Sequence, residues 1–98
     1  PTIPAPAPNT LVSVADVALV GLATTVILAA NVNRREAIII NLAGNTQTMR
    51  IGDAGAAAAE GIPLAPGDVL FLTTQAEISG FKPAAGNENV AVAYTEEI

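Results

Sequence analysis

The chain has 98 residues, no Cys, no His and no Trp, and a formal net charge of −5. Its four cations, Arg34, Arg35, Arg50 and Lys82, cannot form the basic stripe that neutralises phosphates, which argues against nucleic acid and anionic membrane surfaces as partners. The length suits one domain, and the lack of Cys excludes both a disulfide framework and a thiolate metal site.

Half of the residues are apolar, only 13% are charged, and Phe71, Phe81 and Tyr94 are the only aromatics. A core of Ala, Val, Ile and Leu is thin, because aromatic rings carry the largest buried areas. A domain of this size is marginally stable alone. Low charge with high apolar content therefore points to a surface covered by other subunits.

Residues 1–8 read PTIPAPAP. Pro1, Pro4, Pro6 and Pro8 rule out helix and central strand and favour polyproline II. At about 3.1 Å per residue, the segment reaches about 25 Å. We expect an extended arm over residues 1–10, with Ile3 as its apolar anchor, lying on a neighbouring subunit; the plainer reading is a frayed end. Pro1 fits a chain whose initiator Met was removed, and no basic stretch precedes an apolar run as in a secretory signal. A single domain is expected over residues 11–98.

Strand-like runs then follow at intervals of about ten residues. Residues 11–20 are Val-rich and end at Gly21. Residues 24–30 form a second run, with Val26 and Leu28 expected on one face and Ile27 on the other. The uncharged stretch 17–33 is short for a membrane-spanning helix and is interrupted by Gly21, Thr24 and Thr25. A polar turn at 31–34 leads to residues 36–42, where Ile38, Ile39 and Ile40 put apolar side chains on both faces; this predicts a central strand covered on both sides. After a hairpin-type turn at 43–46, residues 47–51 form a strand with Met49 and Ile51 on one face.

Residues 52–61 are a loop, in which Ala56 to Ala59 have the composition of one helical turn. Pro66 and Gly67 suit the two central positions of a type II turn, where Gly takes positive φ. Strands are expected at 69–73, at 77–81 and, after a loop at 83–89, from Val90 through Val92 and Tyr94. Seven or eight short strands with regular turn signals predict an all-β sandwich or barrel.

Catalytic chemistry finds little to work with. A nucleophilic triad needs an imidazole or an equivalent base, and the chain offers only Ser13, Ser79 and the lone Lys82. The nine acids are scattered at turns and strand ends, without the aromatic platforms of a sugar site. Asp53 and Glu60 in the 52–61 loop make a poor calcium site, because Ala54 and Ala56 to Ala59 offer only backbone oxygens. The expectation is no enzyme, no metal and no cofactor. Arg34 and Arg35 are candidate partner contacts, since Arg pairs well with carboxylates across an interface; the alternative is a turn in which one of them lies beside Glu36. Glu96 and Glu97 read as a solvated end.

The runs Ala29-Ala30-Asn31-Val32-Asn33-Arg34-Arg35, Ile38-Ile39-Ile40-Asn41-Leu42, Ile51-Gly52 and Gly61-Ile62-Pro63-Leu64-Ala65-Pro66-Gly67, with a Val-rich last strand ending in Glu96-Glu97, resemble small β-sandwich virion proteins of tailed bacteriophages. Those on heads act as decoration or cement proteins. The likeness spans about Ala23 to Glu97 and leaves out the Pro-rich arm. It implies a compact antiparallel β-sandwich, jelly-roll-like, made in the host cytoplasm and held on the capsid surface. Its partners would be the major capsid protein and copies of itself, as a trimer. The rival readings are a receptor- or glycan-binding module of a fibre or tail, and a cell-surface adhesion subunit.

Overall fold

A computed structural model describes residues 9–97. The described residues contain eight strands and no helix: β1 (Asn9–Leu19), β2 (Thr24–Leu28), β3 (Arg34–Asn41), β4 (Met49–Gly52), β5 (Ile62–Leu64), β6 (Val69–Leu72), β7 (Ile78–Phe81) and β8 (Glu88–Glu97). They form two four-stranded antiparallel sheets, in the orders β1-β8-β3-β6 and β2-β7-β4-β5.

Pairing is nested around the β4–β5 hairpin. β3 pairs with β6, β2 with β7 and β1 with β8. The chain changes sheet at every connection except β4 to β5. This is a double-stranded ribbon rolled into a sandwich, the jelly-roll arrangement. The all-β sandwich expected from the strand count is therefore the fold.

Local chemistry explains most boundaries. The turn after β5 has the predicted type: Asp68 N donates to Ala65 O at 2.9 Å, and Gly67 has a φ of 87°. β5 contains Pro63, which cannot donate to a ladder, and it lies at a sheet edge. Ala56 to Ala59 form no helical turn; Ala57 and Glu60 close a tight bridge, each N–H donating to the other's carbonyl. β1 starts at Asn9 rather than at Leu11, because Asn9 and Thr10 pair with Glu97 and Glu96. Those two residues belong to the sheet and not to the arm.

The core is aliphatic. Leu19, Ile39, Met49, Ile51 and Val90 are fully buried, with Ile27, Leu28, Leu64, Ile78 and Val92 around them. Ile27 and Leu28 both point inward, contrary to simple alternation, because a register shift between Val26 and Leu28 breaks the period and leaves Val26 exposed. Tyr94 is the one aromatic packed against the core.

Gly80 of β7 faces the interior where the two sheets approach. A Cβ there would lie 2.7 Å from Leu19 Cδ2 and 2.9 Å from Ile27 Cδ1. Gly80→Val should therefore overpack the core and lower unfolding free energy by about 1–3 kcal/mol. Gly44→Ala, at a site with nothing within 4 Å, should change it by less than about 0.5 kcal/mol. Urea titrations of the two variants check this; equal effects would contradict the packing described.

Candidate functional site

Among the described residues four polar side chains are buried: Ser79 within β7, and Arg34, Asn41 and Lys82 at or beside strand ends. Arg34 stands at the start of β3. It is 1% exposed, and its guanidinium is ringed by backbone carbonyls. Nη1 donates to Ala29 O at 3.0 Å, Nε and Nη2 donate to Thr74 O at 3.1 and 3.0 Å, and Nη2 also donates to Ala76 O. These carbonyls belong to the β2–β3 and β6–β7 connections. Guanidinium suits the task because its donors are held in a rigid planar fork.

Asn41 occupies the opposite end of β3 and is fully buried. Its Nδ2 donates to Gln47 O at 2.9 Å and Leu64 O at 2.7 Å, while its Oδ1 accepts from Asn45 Nδ2. Lys82 follows β7 and is 3% exposed; Nζ donates to Ala84 O and Ala85 O at 3.0 and 3.1 Å. Gly21 lies against the same loop, with no room for a side chain beside the Ala84 and Gly86 carbonyls.

These contacts correct the expectation for Arg34. It is no contact for a neighbour's carboxylate: burial hides it, and carbonyls of its own chain occupy its donors. Nor does it lie beside Glu36 as a surface turn residue. Arg35 does reach the surface, where Nη2 sits 3.3 Å from Glu97 Oε1 across the paired strands β3 and β8. Glu96 accepts from Asn31 Nδ2 at 3.1 Å, so the final acids are tied to the β2–β3 turn. Arg50 donates to Gly61 O. Pro1, Ile3, Pro4, Pro6 and Pro8 lie outside the described residues.

A shallow open depression of about 430 Å³ lies at the Arg34 end, lined by Leu28, Ala30, Val32, Arg34 and Tyr94 among others. Val32 on its rim is 81% exposed. Glu97 N donates to Asn33 O, and Asn9 pairs with Glu97, so β1 begins at this same end. Among the described residues, no group of three or more His, Cys, Asp or Glu is placed to hold a metal ion. Asp53 Oδ1 accepts from Gly55 N within its own loop.

The larger surface feature is the outer face of the β1-β8-β3-β6 sheet. Alternation sends Ala37, Ile39, Val90 and Val92 inward and leaves Ile38, Ile40, Ala91 and Ala93 facing out. On β6, Leu70 and Leu72 pack on the core, while Val69 and Phe71 face out, Phe71 at 61% exposure. The central strand predicted to be covered on both sides is thus covered by this chain on one side only. No family model, curated protein or solved structure matches the chain.

The internal role of Arg34 has a measurable consequence. Arg34→Met keeps much of the stem but removes every donor from the Ala29, Thr74 and Ala76 carbonyls. It should lower unfolding free energy by about 3–5 kcal/mol, the range for breaking a buried charged network. Arg35→Met loses one exposed pair and should cost less than about 1 kcal/mol. Thermal and denaturant unfolding decide; similar losses in both variants would refute the assignment of Arg34 as internal.

Proposed function

We propose that this chain is a structural virion subunit that decorates a bacteriophage head, binding the outside of the capsid and reinforcing contacts between capsomers. The observation that carries the reading is how its polar groups are used. Arg34, Asn41 and Lys82 serve backbone carbonyls of their own chain, and what remains outside is an acidic surface with a continuous apolar sheet face. Such a molecule acts by shape and by apolar contact with other subunits, not by reacting groups. The resemblance of its turns and strands to small virion proteins supplies the kind of partner.

The distribution of aromatics weighs against a glycan-binding head. Phe71 lies on the outer face of one sheet, Tyr94 packs toward the core, and Phe81 follows Gly80 on the other sheet. They do not converge on one platform on which a sugar ring could stack.

In this reading the subunit acts in several copies, and the arm carrying Pro1, Ile3, Pro4, Pro6 and Pro8 adds a contact to a neighbour. Each proline fixes φ near −65°, so such an arm is ordered on a partner at less entropic cost than a Gly/Ser tail. Burial of one side chain of the size of Ile3 contributes about 1.5–3 kcal/mol, multiplied in effect over a lattice.

Heads purified from the virus that encodes the chain should carry it in fixed ratio to the major capsid protein, measured by quantitative mass spectrometry. Heads stripped of it should release DNA at a lower temperature, and the chain lacking residues 1–8 should rebind more weakly. Absence from purified heads, or labelling at fibre tips, would overturn the reading.

A further inference from the structure

The described chain shows where the Pro-rich segment 1–8 joins the sandwich. β1 starts at Asn9, which pairs with Glu97, and Glu97 N donates to Asn33 O at 2.8 Å. The segment therefore joins at the Arg34 end, beside the β2–β3 connection that walls the depression there. Two features of that depression have no use among the described residues. Val32 on its rim is 81% exposed, more than any other large apolar side chain. Tyr94 lines it with a hydroxyl that makes no hydrogen bond to another described residue.

We infer that this depression is the seat of the Pro-rich arm of a second copy, with Ile3 entering against Val32 and Tyr94. The inference rests on the reading of the chain as a subunit that acts in several copies, and it names where the arm of one meets the next.

Reach selects a second copy over the chain's own arm. Pro4, Pro6 and Pro8 fix φ, and Ile3, Ala5 and Ala7, each before a proline, are held out of the α region. Asn9 is itself extended, as the first residue of β1. The run from Ile3 into β1 thus has no position at which to turn, and it continues the line of the strand away from its own sandwich. At about 3.1 Å per residue, Ile3 stands about 19 Å beyond Asn9. That is past its own depression and within reach of a neighbour's.

Chemistry selects the arm over other occupants. Pro-rich extended segments dock in grooves that offer aromatic side chains, and Tyr94 is the aromatic here. Pro4, Pro6 and Pro8 have no amide donor, so the arm carries surplus carbonyl acceptors, for which the Tyr94 hydroxyl is a donor. Leu28, Ala30 and Val32 give Ile3 an apolar surround. The volume of about 430 Å³ falls within the about 300–1,000 Å³ of sites that enclose small ligands. It suits Ile3 and an adjoining proline rather than the whole arm. Charge agrees as well. Residues 1–8 carry no ionisable side chain, and no carboxylate lines the depression, although the chain carries −5. The arm is thus the part of one acidic copy that approaches another without repulsion. A single arm seated in a shallow site makes a weak contact, strengthened where each copy both gives and receives one.

The chain has no Cys, so introduced thiols report the contact directly. Full-length Ile3→Cys and Val32→Cys chains, one of them isotopically labelled, are mixed in equal amounts at millimolar concentration without capsids and oxidised. Val32 and Phe71 are both exposed, so neither substitution disturbs the core. Mass spectrometry should find a disulfide joining positions 3 and 32 of different chains. Its yield should be at least about tenfold above that obtained when Phe71→Cys, on the outer sheet face, takes the place of Val32→Cys. Equal yields from the two pairings, or no disulfide between chains, overturn the inference. A chain carrying both Ile3→Cys and Val32→Cys that closes the disulfide within itself overturns it in favour of its own arm. No capsid is present, so a failure here is distinct from absence of the chain from purified heads.

Discussion

The Arg34 guanidinium, buried among the carbonyls of Ala29, Thr74 and Ala76, answers a problem that this topology creates. In a rolled ribbon almost every connection passes from one sheet to the other over the end of the core. The backbone carbonyls of those connections have no ladder partner, and at the Arg34 end three of them converge on a buried guanidinium. Without them the buried Arg34 donors would be left unsatisfied, at a cost of about 1–3 kcal/mol or more for a charged group. Arg34 closes one end of β3 and Asn41 closes the other, reaching Gln47 and Leu64. Lys82 does the same for the β7–β8 loop. Three long or branched donors thus fix the loops over a core too small to hold them by apolar contact alone.

That core is built from aliphatic side chains and one approach point, Gly80, where the missing side chain lets Leu19, Ile27 and Ile51 meet between the sheets. The nested pairing joins residues far apart in the chain, such as Asn9 with Glu97 and Ala18 with Asn89. Nothing local holds such pairs, so the sandwich depends on simultaneous closure of both sheets. A thin core, closed at its ends by polar donors, leaves little surplus stability. Burial of the outer sheet face against another subunit would add to it.

Internal use of Arg34 and Lys82 also shapes the outside. Two of the four cations are removed from the surface, and Arg35 is engaged with Glu97. The exterior is more acidic than the sequence total suggests, and its apolar face carries no opposite charge to attract a partner by steering. Contact through such a face is governed by fit.

Strand positions, the alternation of Val90, Val92 and Tyr94, and the turn at Pro66-Gly67 were legible in the sequence, because period-2 patterning and turn φ values are local properties. The double-sided apolar character of Ile38, Ile39 and Ile40 was legible as well, although the sequence could not say that one side would be left open. β5 was not, since three residues around a proline carry too little pattern. The inward turn of both Ile27 and Leu28 depends on a register shift against β7 that neither strand encodes alone. Arg34 and Arg35 are adjacent and chemically alike, and only the tertiary structure separates them. One lies under the β2–β3 and β6–β7 connections, bonded to residues up to 42 positions away, and the other is exposed and paired with Glu97. The sequence by itself determined where seven of the eight strands would lie and which side-chain chemistries the chain lacks, Cys, His and Trp among them. Which strands pair, which cation is internal and which sheet face is uncovered were decided by non-local closure, where the partners of each group are set by the whole chain.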